Sequence, residues 1–170
     1  MCLKMSKYGF SALGRGFLYA LRGFCYCVKT QRNLRIHLVA AFHVFLLSPF
    51  YHFTKGEYGV LCLACGLVIS AEMVNTALEE FCDGQYPGYS PVAKRVKDVA
   101  AGTVLLCALA AAGVGVIFFW DMEAFGRMAQ FITLYPWSPV IPVATLSAGI
   151  IWAMSTKKKE PMKEKESKER

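Results

Sequence analysis

Glu72, Asn75, Glu79 and Asp83 recur at three- and four-residue steps in the segment Glu72-Met-Val-Asn75-Thr76-Ala-Leu-Glu79-Glu80-Phe-Cys-Asp83. At 100° per residue a helix gathers these four side chains within an arc of about 80°. Thr76 borders that stripe, and Glu80 turns away from it toward solvent or headgroups. Carboxylates and an amide on one face are hard oxygen donors suited to a divalent cation and its phosphate ligands. Magnesium in particular takes only one or two protein carboxylates and fills its other positions with water and phosphate oxygens. The chemistry open to this stripe is therefore nucleotide chemistry.

A second cluster follows the loop at 84–91, in Ala93-Lys94-Arg95-Val96-Lys97-Asp98-Val-Ala-Ala-Gly102. Lys97 at the start of a helix can neutralise phosphate charge, and Asp98 can serve metal or ribose. Lys94 and Arg95 are equally suited to anchoring the chain at a headgroup surface. The sequence holds no G-x-x-x-x-G-K-[ST] loop and no kinase glycine-rich loop with its partner motifs, which excludes the two standard soluble nucleotide cradles.

The elements that must position these groups are membrane helices. Of the 170 residues 55% are hydrophobic and 14% aromatic, above the average for a soluble domain. The apolar residues gather in four blocks, at 34–53, 58–81, 99–120 and 138–154, each near the length needed to cross hydrocarbon as a helix. The fold expected is all-α, an integral membrane helical bundle. Seven bases lie between Lys4 and Arg35 before the first carboxylate, Glu57, which places the N-terminus inside by the bias of Lys and Arg toward cytoplasmic loops. Four crossings then put Lys94, Arg95 and Lys97 inside, the loop 121–137 outside and the Lys-rich C-terminal tail inside. With this topology the stripe descends the second crossing toward the cytoplasm. A charge within a span costs on the order of 3 kcal/mol, whereas hydrogen bonds between membrane helices contribute only about 0.6 kcal/mol. Glu72 is therefore a functional rather than a bundle-holding residue.

Before the first crossing, Phe10, Leu13, Phe17, Leu21, Phe24 and Val28 share one helical face while Ser11, Arg15, Arg22 and Lys29 share another, predicting an amphipathic surface helix over 7–29. No cleavable leader is read in this stretch. The net charge of +7 sits at membrane edges and is assigned to anionic headgroups, not nucleic acid. The Cys62-x-x-Cys65 pair lies within a span without a second pair, and the seven cysteines are read as packing residues. Neither His37 nor His43 is given a role. Residues 156–170 form a Lys/Glu tract, expected to be disordered or partly helical.

Taken together, Glu72-x-x-Asn75-Thr76-Ala-x-Glu79-x-x-x-Asp83 followed by Ala93-Lys-x-x-Lys97-Asp98-x-Ala-Ala-Gly-x-Val-Leu-Leu106 resembles the signature of the small bacterial membrane diacylglycerol and undecaprenol kinases. Tyr19-Ala-Leu-Arg-Gly23 and Arg32-Asn33-Leu-Arg35-Ile-His37-Leu resemble that family's surface helix and the lead into its first crossing. The resemblance covers about residues 8 to 120. It implies a three-span core assembled as a homotrimer in the bacterial inner membrane, with sites between subunits at the cytoplasmic face, phosphorylating a lipid alcohol from MgATP. By position, Glu72 would be the general base at the lipid hydroxyl, with Asn75 beside it. Glu79 would be a metal ligand, Asn75, Asp83 and Asp98 polar contacts to nucleotide or metal, and Lys97 a phosphate contact. Tyr19 and Arg22 would lie on the nucleotide side of the surface helix. Residues 1–120 would form the kinase core, 121–155 an outer loop and an additional crossing, and 156–170 the cytoplasmic tail.

The chain departs from the family pattern at Gln31, where the family has a metal-binding Glu. A neutral amide oxygen still coordinates a hard cation but brings no charge, so a weaker metal site is expected. The extra crossing at 138–154 is a second departure. The motif forms resemble the undecaprenol branch more than the diacylglycerol branch. Two other classes remain open, an ion-coupled transporter using Glu72 as a proton relay and a non-catalytic lipid-binding protein.

Overall fold

The computed structural model describes residues 9–155, with side chains described from residue 14 onward. It is helical throughout, with α1 (Gly9–Thr30), α2 (Arg32–Leu47), a 3-10 turn (Ser48–Tyr51), α3 (Lys55–Gln85), α4 (Pro91–Phe119), α5 (Met122–Leu134) and α6 (Val140–Met154). No strand occurs among the described residues. Three stretches, Arg32–Tyr51, Lys55–Gln85 and Pro91–Phe119, are long and apolar enough to cross a membrane. Their large apolar side chains point outward, Leu63 and Ile117 being 74% and 73% exposed, as expected where the surrounding solvent is hydrocarbon. The expected tail at 156–170, and the start of the surface helix at residues 7 and 8, lie outside the described residues.

Local signals explain the boundaries. α1 and α2 are separated by one extended residue, Gln31 (φ −106°, ψ 116°). Pro49 opens the 3-10 turn at the far end of α2, and His52 reverses the chain in the left-handed region at φ 51°. Thr54 then starts α3 with a capping box. Its hydroxyl accepts from the Glu57 N–H at 3.3 Å, and its own N–H donates to Glu57 Oε2 at 2.7 Å, satisfying donors that the first turn leaves free. Ser90 caps α4 by accepting from the Ala93 N–H at 3.3 Å, with Pro91 in the first turn.

The 31 residues of α3 give a rod of about 46 Å, longer than the ~30 Å hydrocarbon core. The helix therefore carries Glu79 and Asp83 past the apolar window while Glu72 stays within it. α3 and α4 form the most extensive helix pair. At the end away from the polar stripe a ring cluster closes the bundle, with Tyr51 on Phe119 at 4.6 Å, Phe53 on Phe119 at 5.3 Å and Phe53 on Tyr58 at 5.8 Å between centroids.

Two features differ from the sequence expectation. The stretch read as an outer loop contains the helix α5. Asp121 caps it by accepting from the Glu123 N–H at 2.9 Å, and Arg127 fastens it by donating to the Phe50 carbonyl at 2.8 Å. The block at 138–154 forms only the 15-residue α6, about 22 Å long and short of the ~30 Å core. α6 packs along α2 so closely that a Cβ on Gly149 would lie 2.9 Å from the Val39 methyls. Glycine is required there by contact, not by backbone conformation.

Candidate active site

α3 places the polar stripe on the side facing α1 and α2. Glu72, Asn75 and Thr76 are buried, at 2%, 7% and 2% exposure. The Thr76 hydroxyl donates back to the Glu72 backbone carbonyl at 2.9 Å, and the Glu72 carboxyl faces neighbours on α2 and α3. Those neighbours are the Asn33 side chain from the first turn of α2 and the carboxyl of Glu79, two helical turns down the same face. Asn75 bridges part of that gap, its amide donating to Glu79 Oε1 at 3.0 Å. The Asn75 carbonyl oxygen is buried without a partner, an acceptor left open beside the carboxylates.

One turn below, Asp83 pairs with Lys97 across the α3/α4 hairpin. The Lys97 ammonium also lies close enough to feel Glu79. Glu72, Asn75, Glu79, Asp83 and Lys97 thus form a continuous descent from the apolar window to the solvent-facing end of the hairpin. α1 covers the stripe from the other side. The Tyr26 hydroxyl donates to Glu80 Oε1 at 2.9 Å, and the Cys27 thiol packs on Thr76. Glu80, expected to face solvent or headgroups, instead ties α3 to the surface helix.

Other site candidates are placed differently. Asp98 is exposed on α4, a full 100° around the helix from Lys97. Tyr19 is 62% exposed on α1 and Arg22 is exposed near it, both outside the cluster. Gln31 sits at the α1/α2 break, its Nε2 buried without an acceptor. Asn33, which sequence reasoning left without a role, is brought beside Glu72, and its position in the first turn of α2 was the available signal. The described cysteines are free. Burial pushes the Cys27 thiol up from its ordinary value, in keeping with inert packing. His43 is satisfied, its Nδ1 donating to the Val39 carbonyl at 2.8 Å.

Among the described residues no three His, Cys, Asp or Glu side chains converge as a metal cage. A magnesium ion carried by phosphate oxygens requires no such cage, and Glu79, oriented by the Asn75 amide, fits the one or two carboxylates it takes.

The family profile described as prokaryotic diacylglycerol kinase matches residues 18–119, a segment that holds the whole stripe and Lys97. The chain belongs to the prokaryotic diacylglycerol kinase family. Relatives within reach include a diacylglycerol kinase of Synechocystis, 43% identical over 102 residues, covering 58% of this chain and 57% of that protein. An undecaprenol kinase of Bacillus subtilis is 31% identical over 105 residues, covering 62% of this chain and 85% of its own length. A diacylglycerol kinase of Helicobacter pylori is 29% identical over 130 residues, covering 75% and 90%. The chain thus spans little more than half of the Synechocystis relative. No solved structure matches it. The matched segment ends at the close of α4, so α5 and α6 lie outside it.

Proposed function

We propose that this chain is an ATP-dependent lipid kinase that phosphorylates the hydroxyl of a membrane lipid alcohol, undecaprenol. The observation that carries the reading is the buried Glu72 carboxyl, set beside Glu79 and Asn33 at the depth where α3 leaves the apolar window. The lipid oxygen attacks the γ-phosphorus of ATP, the new O–P bond forms as the β–γ bridging bond breaks, ADP leaves and the hydroxyl proton passes to Glu72. Such transfer demands positioning and charge neutralisation more than covalent help from the protein. Lys97, held by Asp83, offers one cation for the phosphates. Magnesium arriving with the nucleotide would neutralise further charge there, held by Glu79 with the Gln31 amide oxygen as a neutral second donor. Asn75 would orient Glu79 and the lipid hydroxyl.

In this reading the protein sits in the bacterial inner membrane with both ends cytoplasmic and works as a homotrimer. On α4 Ala93, Ala100 and Val104 are buried within one chain, which leaves the rest of the helix open to lipid or to a neighbouring subunit. Tyr19, Arg22 and Asp98, outside the cluster of a single chain, would complete a site shared with a neighbour. Diacylglycerol is the second reading, favoured by the 43% identity to the Synechocystis protein. The undecaprenol reading rests on the motif forms and on the more complete coverage of the Bacillus subtilis relative. Purified protein given both lipids in competition with labelled ATP decides between them. Label predominantly on undecaprenol supports the first reading, and label predominantly on diacylglycerol replaces it with the second.

A further inference from the structure

Arg35 lies one turn into α2, 8% exposed, in a chain segment that offers it no carboxylate. Its guanidinium is satisfied instead by backbone. Nε donates to the Val28 carbonyl at 2.6 Å, Nη2 to the Lys29 carbonyl at 2.9 Å and Nη1 to the Trp152 carbonyl at 2.8 Å. Val28 and Lys29 are in the last turn of α1, and Trp152 is in the last turn of α6. Carbonyls at a helix C-terminus lack the usual i+4 N–H partner and carry the negative end of the macrodipole; that of Trp152 also accepts from the Ser155 hydroxyl at 2.8 Å. One permanently charged, forked side chain therefore caps two helices at once, which a lysine could not reproduce. The Trp152 ring completes the arrangement, 5.0 Å from the guanidinium carbon, a cation–π contact.

We propose that Arg35 is a positioning residue through which α6 fixes the surface helix over the site. α1 reaches the stripe by Tyr26 on Glu80 and Cys27 on Thr76, and the break at Gln31 is one extended residue long. The angle at this break sets how α1 lies against α3 and where Gln31 stands relative to Glu72. α6, outside the family-matched segment, contributes the third carbonyl and the ring. The C-terminal addition thereby acts as a strut for nucleotide binding, while the lipid side of the stripe on α3 and α4 is held by other contacts. The kinetic part of this inference rests on the lipid kinase reading; the structural part does not.

The test uses the full-length protein in lipid nanodiscs with Trp152→Ala, Trp152→Phe and Arg35→Lys. Tryptic cleavage within α1, at Arg15, Arg22 and Lys29, reports its release independently of activity. Trp152→Ala and Arg35→Lys are expected to speed that cleavage several-fold and Trp152→Phe to restore protection. In the same samples Trp152→Ala is expected to raise KM for MgATP by about tenfold, a loss of positioning, with kcat and the lipid KM little changed. Wild-type protection of α1 in both Trp152→Ala and Arg35→Lys would overturn the proposal. So would a parallel loss in kcat and both KM values, the mark of general unfolding. If the wild-type protein phosphorylates no lipid alcohol, the kinase reading fails on its own and the proteolysis result still decides the strut.

Discussion

The two ends of the α2, α3 and α4 bundle are held by different chemistry. At the aromatic end Tyr51, Phe53, Tyr58 and Phe119 interlock through their faces and edges. At the polar end the same helices meet through Asn33 beside Glu72, Asn75 on Glu79 and Lys97 on Asp83. Ring packing needs no precise polarity and contributes stability wherever area is buried. The polar arrangement is poor stabilisation by comparison. The Lys97 and Asp83 side chains are 36% and 60% exposed, and pairs this exposed contribute at most about 1 kcal/mol. Polar groups kept at that cost, with the Asn75 carbonyl oxygen lacking a partner, are what the proposed ligand site requires.

This contrast predicts that activity and stability separate along the bundle axis. The largest effect is expected from Glu72→Gln, which should lower kcat by about 10²- to 10⁴-fold, the usual contribution of a positioned base, with an unchanged melting profile in detergent. Glu79→Gln is expected to raise the magnesium concentration for half-maximal rate by on the order of tenfold or more, read from magnesium titrations at saturating ATP. Gln31→Glu should move the same titration the opposite way by a few-fold, because it adds a charged donor where the chain has a neutral one. An unchanged magnesium requirement would remove Gln31 from the metal site. At the aromatic end Phe119→Ala should lower stability by about 1 kcal/mol with kcat retained. Loss of activity without loss of stability in Phe119→Ala would break the contrast.

The spacing of Glu72, Asn75, Glu79 and Asp83 was sufficient to place them on one face, because i, i+3 and i+4 neighbours on a helix coincide whatever the tertiary fold. The three long helices were legible for the same local reason. The partner of Glu80 was not, since its orientation on α3 says nothing of α1, and Tyr26 is 54 residues away. Arg35 was read as one of several cytoplasmic anchors, but its burial depends on a Trp152 carbonyl 117 residues away. α5 was missed for a different reason. A search for blocks of span length passes over Met122–Leu134, although the Asp121 cap and the periodic Met122, Phe125, Met128, Phe131 and Ile132 are local signals of an amphipathic helix. α6 has the composition of a crossing without the length, and composition alone did not reveal where the helix would begin.

The central claim is that the polar groups around Glu72 move a phosphoryl group from ATP to a lipid. Its most direct test is to follow the γ-phosphate of labelled ATP with purified protein, magnesium and undecaprenol in mixed micelles, counting ADP and labelled lipid phosphate together. The account predicts equal amounts of the two products. ADP released without labelled lipid, or no ADP at all with any lipid alcohol supplied, would contradict it.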